Sequence, residues 1–245
     1  MRPAGQMQWR SDPNFPKLTI GGREIVLHRT IVGLAAPILE QLGRLKDGAG
    51  QGNRGSAFRL NVAGAPEMFA RRSSRGGLMR FIASDLHVGI YPRQFEELSV
   101  AVECMRRGAP VAEPMGAIVE WIAPVLYRGF FLTRAIPGRT LWEFLQADDD
   151  PSVRSHVLAQ AHAAIDAIHS RGLEHGDLNL HNLLVTQSGE NFTVIVLDLD
   201  KARLHGGPVP AAAGRANFTR LVRSTHKLDP AGRILDAAAL KLLAG

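Results

Sequence analysis

The stretch from Leu173 to Leu204 constrains this chain more than any other. It reads His175-Gly176-Asp177-Leu178, then Asn182 five positions after Asp177, then Asp198-Leu199-Asp200 at the end of a β-branched run. Leu183-Leu184-Val185 and Thr193 to Leu197 carry the short apolar runs of two strands, and Gln187-Ser188-Gly189-Glu190-Asn191 between them is turn chemistry. An antiparallel pair built from those strands brings Asn182 and Asp198 to one end, with Asp177 in the loop just before it. A buried hairpin with solvated polar ends explains any one of these residues. It does not explain the ordered set.

At 245 residues the chain is long enough for one compact domain or two small lobes with a proper core. A single cysteine, Cys104, excludes a disulfide framework and a cysteine metal site, and its apolar helical surroundings mark it as core. The formal charge of +6 suits nucleic acid, an anionic membrane surface or phosphorylated substrates, without choosing among them. No aromatic platform or cysteine–histidine finger supports a nucleic-acid partner, and none is expected. The most apolar region, Met115 to Ile136, is interrupted by Glu120, Pro124, Arg128 and Arg134 and does not read as a bilayer-spanning helix. No secretion signal is evident at the N-terminus.

Residues 1–16 are polar with three prolines and read as a loose leader. Lys17 to His28 reads as a hairpin around Gly21-Gly22, and Ile31 to Leu45 as a helix. A glycine-rich run, Gly48 to Ser56, precedes the alternating strand Ala57 to Val62; its Gly55 and Ser56 are candidates for approach to phosphate oxygens through backbone N–H groups. Glu67 to Arg72 is the next strand and ends in two cations, with Arg75-Gly76-Gly77 as a turn. Pro92 to Arg107 has helical apolar spacing at Phe95, Leu98, Val102 and Met105, with Glu96 and Glu97 in its first turn. Phe130 to Gly138 reads as a strand ending in a turn, followed by a helix capped at Thr140. The acidic triplet Asp148 to Asp150 reads as a solvated turn. Ser152 to Arg171 is the clearest helix, with Gly172 as its stop; its histidines do not share a metal-binding face. A basic helix starts near Asn217, and Ile234 to Ala244 closes the chain as an amphipathic helix.

The order and spacing of Asp177, Asn182 and Asp198 resemble the catalytic and metal-binding segments of protein-kinase-like phosphotransferases, whose pattern is H-x-D-L-x-x-x-N followed by a second aspartate at a strand end. That resemblance accounts for the residue types. Phosphoryl transfer needs positioning and charge neutralisation more than covalent work. Asp177 would orient the acceptor hydroxyl and take its proton. Asn182 and Asp198 would hold magnesium through hard oxygen donors shared with the phosphates, with Asp200 as a further carboxylate. Because there is no V-A-I-K lysine, Arg71 or Arg72 would meet the α- and β-phosphates, steadied by Glu97.

Within that superfamily the chain is similar to the bacterial lipopolysaccharide kinases, notably the 3-deoxy-D-manno-octulosonic acid (Kdo) kinases. The likeness runs from about Arg54 to Lys227 and rests on the terminal Arg-Gly-Gly of Arg71 to Gly77, Phe95-Glu96-Glu97, Leu132 to Gly138, Glu174 to Asn182, Leu197 to Asp200 and Asn217 to Ser224. It implies an α+β, two-lobed protein-kinase-like fold. A β-rich nucleotide-binding N-lobe would occupy residues 17–133, and a short, mainly helical C-lobe residues 134–245, with ATP and Mg2+ in a pocket between them. It also implies a lipid-linked Kdo acceptor, met at the anionic cytoplasmic face of the inner membrane by a peripheral enzyme. Arg215, Arg220, Arg223 and Lys227 are the candidate contacts with that surface and acceptor. An aminoglycoside- or choline-type small-molecule kinase, and a pseudokinase that binds nucleotide without turnover, are the competing readings.

Within the segment from His175 to Asp200 the chain departs from protein kinases in three places. Gly176 replaces the arginine of H-R-D, Asp200 replaces the glycine of D-F-G, and Asn179 stands where many protein kinases place a lysine near the γ-phosphate. The last departure leaves that charge to another residue.

Overall fold

The computed structural model describes residues 9, 11–47, 57–72 and 86–244. The chain divides into two compact units, one from Met7–Val102 with Glu113–Ala135 and one that includes Glu103–Ala112 with Ile136–Gly245. Gly55 and Ser56, and the expected turn at Arg75 to Gly77, lie outside the described residues.

The first unit opens with a hairpin, β1 (Lys17–Ile20) and β2 (Arg23–Leu27). Gly21 and Gly22 both take positive φ, as a two-residue turn matched to strand twist requires. The chain then enters α1 (Ala35–Asp47) through a 3-10 turn, and continues with β3 (Ala57–Leu60), β4 (Met68–Arg72), β5 (His87–Val88), α2 (Arg93–Arg106), β6 (Pro114–Ala123) and β7 (Leu126–Arg134). All pairings are antiparallel, in the order β1-β2-β6-β7-β4-β3, with β5 on β7. Ile25, Leu27, Leu60, Met68, Ala70, Phe130 and Leu132 leave one face of the sheet and pack on Ile31, Ala35, Ile38 and Leu42 of the α1 region. The opposite face meets α2, where Arg93 N–H donates to Tyr127 Oη (3.1 Å). On α2, Phe95, Leu98 and Val102 are buried as their spacing predicts, whereas Met105 is 44% exposed. Cys104 is core, and burial pushes its thiol up to about 12.

Residues 11–16, expected as part of a loose leader, are held instead. Asn14 O accepts from Arg29 N–H (2.7 Å), Phe15 N–H donates to Asp12 O (2.9 Å), and the Phe15 ring is buried edge-on to His28. Burial of one aromatic, one turn hydrogen bond and one long-range backbone hydrogen bond outweigh the polar composition there.

The second unit contains β8 (Arg139–Thr140), α3 (Leu141–Ala147), α4 (Pro151–Ser170), β9 (Leu173–Glu174), β10 (Leu183–Ser188), β11 (Asn191–Val196), β12 (Arg203–Leu204), α5 (Ala211–Leu228) and α6 (Ala237–Ala244). Thr140 and Glu143 form a reciprocal capping box that starts α3. Asp150 caps α4 by accepting from the Ser152 and Val153 amides, with Pro151 in the first turn, so this acidic turn is a helix cap. Val157, Leu158, Ala161, Ala164, Ile165 and Ile168 form the buried face of α4. Gly172, at φ +85°, ends it. Residues 103–112 belong here because 110–112 run beside β11, with Val196 N–H to Pro110 O (2.8 Å) and Ala112 N–H to Val196 O (3.2 Å). Arg107 Nη1 adds bonds to the carbonyls of Arg171 and His205.

Candidate active site

β9 delivers the chain into the loop His175–Asn179, a 3-10 turn at Leu180–Asn182, and then β10. Leu178, Leu180 and Leu183 are fully buried and pin this segment from below, while Asp177 stays exposed. The His175 ring lies inside the fold. Its Nδ1 accepts the Asp177 N–H (3.1 Å), so Nδ1 carries no proton and Nε2–H donates to Leu197 O (2.8 Å). One imidazole thus ties Asp177 to the residue preceding Asp198. Burial holds this imidazole below its ordinary pKa, against the Leu197 bond and the Asp198 and Asp177 charges. It is neutral at physiological pH.

The β10–β11 hairpin has the register Leu183↔Val196, and Leu197 N–H donates to Asn182 O (2.9 Å). Asn182 and Asp198 are therefore brought together at one end of the hairpin. Asn182 Nδ2 donates to Asp177 O (2.8 Å), which joins all three positions and presents Asn182 Oδ1 as the acceptor atom of that side chain. Asp198 has φ +57°, the one non-glycine residue with positive φ among those described. Strained left-handed backbone of this kind costs about 1–3 kcal/mol and concentrates at functional sites. The chain turns sharply after it, with Asp200 N–H near Asp198 Oδ1 (3.4 Å) and Ala202 N–H on Leu199 O (3.0 Å).

Gly176 has a steric explanation. A Cβ there would stand 2.1 Å from Lys201 O and 2.5 Å from Lys201 Cβ, so only glycine fits beneath the Lys201 backbone. Lys201 then extends alongside the loop, with Nζ 3.6 Å from Asp177 Oδ2. Asn179 turns inward on its own loop, donating to Asp177 O (2.9 Å) and accepting from His181 N–H (2.9 Å).

In the first unit, the two arginines ending β4 point to opposite faces of the sheet, as strand geometry requires. Arg71 forms an ion pair with Glu97, whose side chain is entirely covered. Arg72 lies on the other face, over the rings of Phe58 (5.8 Å) and Phe130 (5.3 Å).

On α5 the four candidate surface cations divide. Arg215, Arg223 and Lys227 lie on the exposed face opposite the buried stripe Asn217, Leu221 and Thr225. Arg220 is also exposed, but its Nη1 donates to His175 O (3.2 Å). Asn217 Oδ1 accepts His175 N–H (3.0 Å) and faces His169 Nε2 (3.3 Å). The helix therefore grips the His175–Asn179 loop at both polar groups of the His175 backbone. Neither grip, nor the Lys201 contact, was anticipated from the sequence.

The donor set near Asp177 is two carboxylates and an amide oxygen, hard ligands that match magnesium and not a soft metal. Among the described residues no three His, Cys, Asp or Glu side chains form a metal cage. Such a set fits magnesium that completes its shell with phosphate oxygens and water. An antiparallel sheet with a buried arginine–glutamate pair, and an Asp–Asn–Asp loop system on a mainly helical unit, define the class: a phosphotransferase of protein-kinase-like fold.

The comparisons with known proteins are narrower. The model of the "Lipopolysaccharide kinase (Kdo/WaaP) family" matches residues 48–240. The chain is 30% identical over 182 residues to a 3-deoxy-D-manno-octulosonic acid kinase of Xylella fastidiosa (strain 9a5c), covering 73% of this chain and 69% of the relative. It is 28% identical over 211 residues to the kinase of the same name from Stenotrophomonas maltophilia (strain K279a), covering 82% and 78%. Among solved structures, WaaP in complex with acyl carrier protein shares the fold at a TM-score of 0.59 and 16% identity, over 90% of this chain and 86% of that one. The chain belongs to the lipopolysaccharide kinase (Kdo/WaaP) family.

Proposed function

We propose that this kinase transfers the γ-phosphoryl group of ATP to a hydroxyl of a Kdo sugar in the lipopolysaccharide inner core. The observation that carries the chemistry is the single hydrogen-bonded system joining Asp177, Asn182 and the Leu197–Asp198 peptide. The shared name of the curated relatives supports the acceptor.

Asp177 is the base that orients the acceptor hydroxyl and receives its proton, and His175 fixes the peptide from which it projects. Asn182 Oδ1 and the Asp198 carboxylate, with Asp200 as a further carboxylate, are the donors for magnesium. When bound, that ion neutralises phosphate charge and orients the triphosphate. Arg71, held by Glu97, is the cation for the α- and β-phosphates in this reading; Arg72 lies on the other face of the sheet, over the Phe58 and Phe130 rings. Arg215, Arg223 and Lys227 on the exposed face of α5 meet an anionic surface or acceptor, consistent with a peripheral enzyme at the cytoplasmic face of the inner membrane. Among the described residues no helix is long and apolar enough to cross a membrane.

An acceptor panel tests the reading. Purified protein with ATP and magnesium should phosphorylate a Kdo-terminated lipid A precursor and leave an aminoglycoside and choline unmodified. Asp198→Asn should weaken magnesium-dependent nucleotide binding. Modification of the small molecules in preference to the Kdo lipid would contradict the assignment.

A further inference from the structure

The departure at Asn179 leaves an electrostatic problem. The loop presents Asp177 and Asp198 toward a site where the transferred group is itself anionic, and the position that often carries a lysine holds an amide already bonded to its own loop. Lys201 lies three residues beyond Asp198, after the left-handed turn, and its ammonium reaches Asp177 Oδ2 at 3.6 Å. The approach is built into the backbone. Gly176 has no side chain because the Lys201 peptide occupies that volume, so the glycine of His175-Gly176-Asp177 and the lysine after Asp198-Leu199-Asp200 are two halves of one contact.

We propose that Lys201 is a catalytic residue, supplying from the Asp198 side of the site the cation that Asn179 does not. This inference rests on the phosphoryl-transfer reading above. Both partners of the Lys201–Asp177 pair are largely exposed, at 61% and 54%. An exposed pair of this kind is weakly held, so the ammonium can turn from the carboxylate to a phosphate oxygen on its flexible stem. In the transfer, the acceptor oxygen forms a bond to the γ-phosphorus as the bond to the β–γ bridging oxygen breaks. The electron pair of the broken bond leaves on ADP, and the hydroxyl proton passes to Asp177 and then to solvent. Lys201 Nζ donates to an equatorial oxygen of the group in flight, where negative charge is spread.

The test uses the full chain and the variants Lys201→Met and Lys201→Arg. Binding is measured first by calorimetry, without acceptor, for ADP and for a non-hydrolysable ATP analogue, each with magnesium. Lys201→Met should lose about tenfold in affinity for the triphosphate and keep its ADP affinity within about twofold, since only the γ-phosphate is touched. With the Kdo lipid acceptor, kcat should fall about a hundredfold while the acceptor KM stays within about twofold. Lys201→Arg should restore most of both. Equal losses for ADP and the triphosphate would overturn the proposal by showing a structural role. So would wild-type binding and kcat in Lys201→Met, or an arginine variant no better than methionine. If the wild type failed to modify the Kdo lipid, the acceptor reading would fall, and the nucleotide comparison would still decide the role of Lys201.

Discussion

Replacing Arg71 with alanine removes a cation from beside a carboxylate that solvent does not reach. The Glu97 side chain is 0% exposed and that of Arg71 is 24% exposed. Breaking a buried ion pair from one side costs about 3–5 kcal/mol, whereas an exposed pair is worth about 0–1 kcal/mol. With about a quarter of the arginine in solvent, the lower end applies, about 3 kcal/mol. That is a large part of a typical total of about 5–15 kcal/mol. The double variant Arg71→Ala/Glu97→Gln should recover about 2 kcal/mol of the loss, because no carboxylate remains to be charged in the interior. Arg72→Ala removes aromatic contacts worth about 1 kcal/mol and leaves no buried carboxylate behind. Urea unfolding of wild type, Arg71→Ala, Glu97→Gln, the double variant and Arg72→Ala measures these differences, and hydrogen exchange at β4 and α2 amides localises them. A loss below about 0.5 kcal/mol for Arg71→Ala, or a double variant that simply adds the two single losses, would refute the reasoning.

Three further expectations follow from the same geometry. Since His175 titrates below its ordinary 6.5, the unfolded chain binds the extra proton, and the stability due to this group is complete above pH 6.5 and lost as pH falls toward the folded value. Urea midpoints should drop across that window in the wild type and stay flatter in His175→Asn; parallel curves would contradict the neutral tautomer. Asp229 is partly desolvated, which raises its pKa, but it accepts the Leu235, Ile234 and Arg233 amides, and these bonds win and lower it. Its contribution should therefore be present above its ordinary 3.8 and lost as pH falls through the lower folded value. Asp229→Asn should remove that acid-limb step, and an unchanged acid limb would contradict it. Gly176→Ala forces a methyl to within 2.1 Å of Lys201 O, so the Lys201 peptide must move. Turnover should fall at least about tenfold and the urea midpoint should drop with it, because the atoms the methyl meets are backbone; wild-type turnover would show that the close approach is not needed.

Local pattern carried much of this structure. The runs at 183–185 and 193–197 specify the hairpin, and its register follows from the turn, so the meeting of Asn182 and Asp198 was readable from spacing alone. The helices at Arg93–Arg106 and Pro151–Ser170 lie where periodicity puts them. Which of Arg71 and Arg72 pairs with Glu97 was not readable, because Met68-Phe69-Ala70 is apolar at every position and hides which parity faces α1. Lys201 was hidden for a different reason: its place depends on a left-handed residue at Asp198, which composition does not announce. Asn217 and Arg220 act across about 40 residues on the His175 peptide, a tertiary contact that no local window contains. The start of α5 at Ala211 was missed because Ala211 to Ala216 has little apolar periodicity. The packing of residues 11–16 depends on Arg29 and His28, which the local proline content says nothing about.

The central claim is that Asp177 activates a Kdo hydroxyl for attack on ATP. Mass spectrometry of a Kdo-bearing lipid incubated with ATP, magnesium and either wild type or Asp177→Ala tests it most directly. Wild type should add one phosphoryl group to the lipid. Asp177→Ala should lose at least about a hundredfold in rate, with nucleotide binding retained. Phosphorylation by Asp177→Ala at the wild-type rate would contradict it.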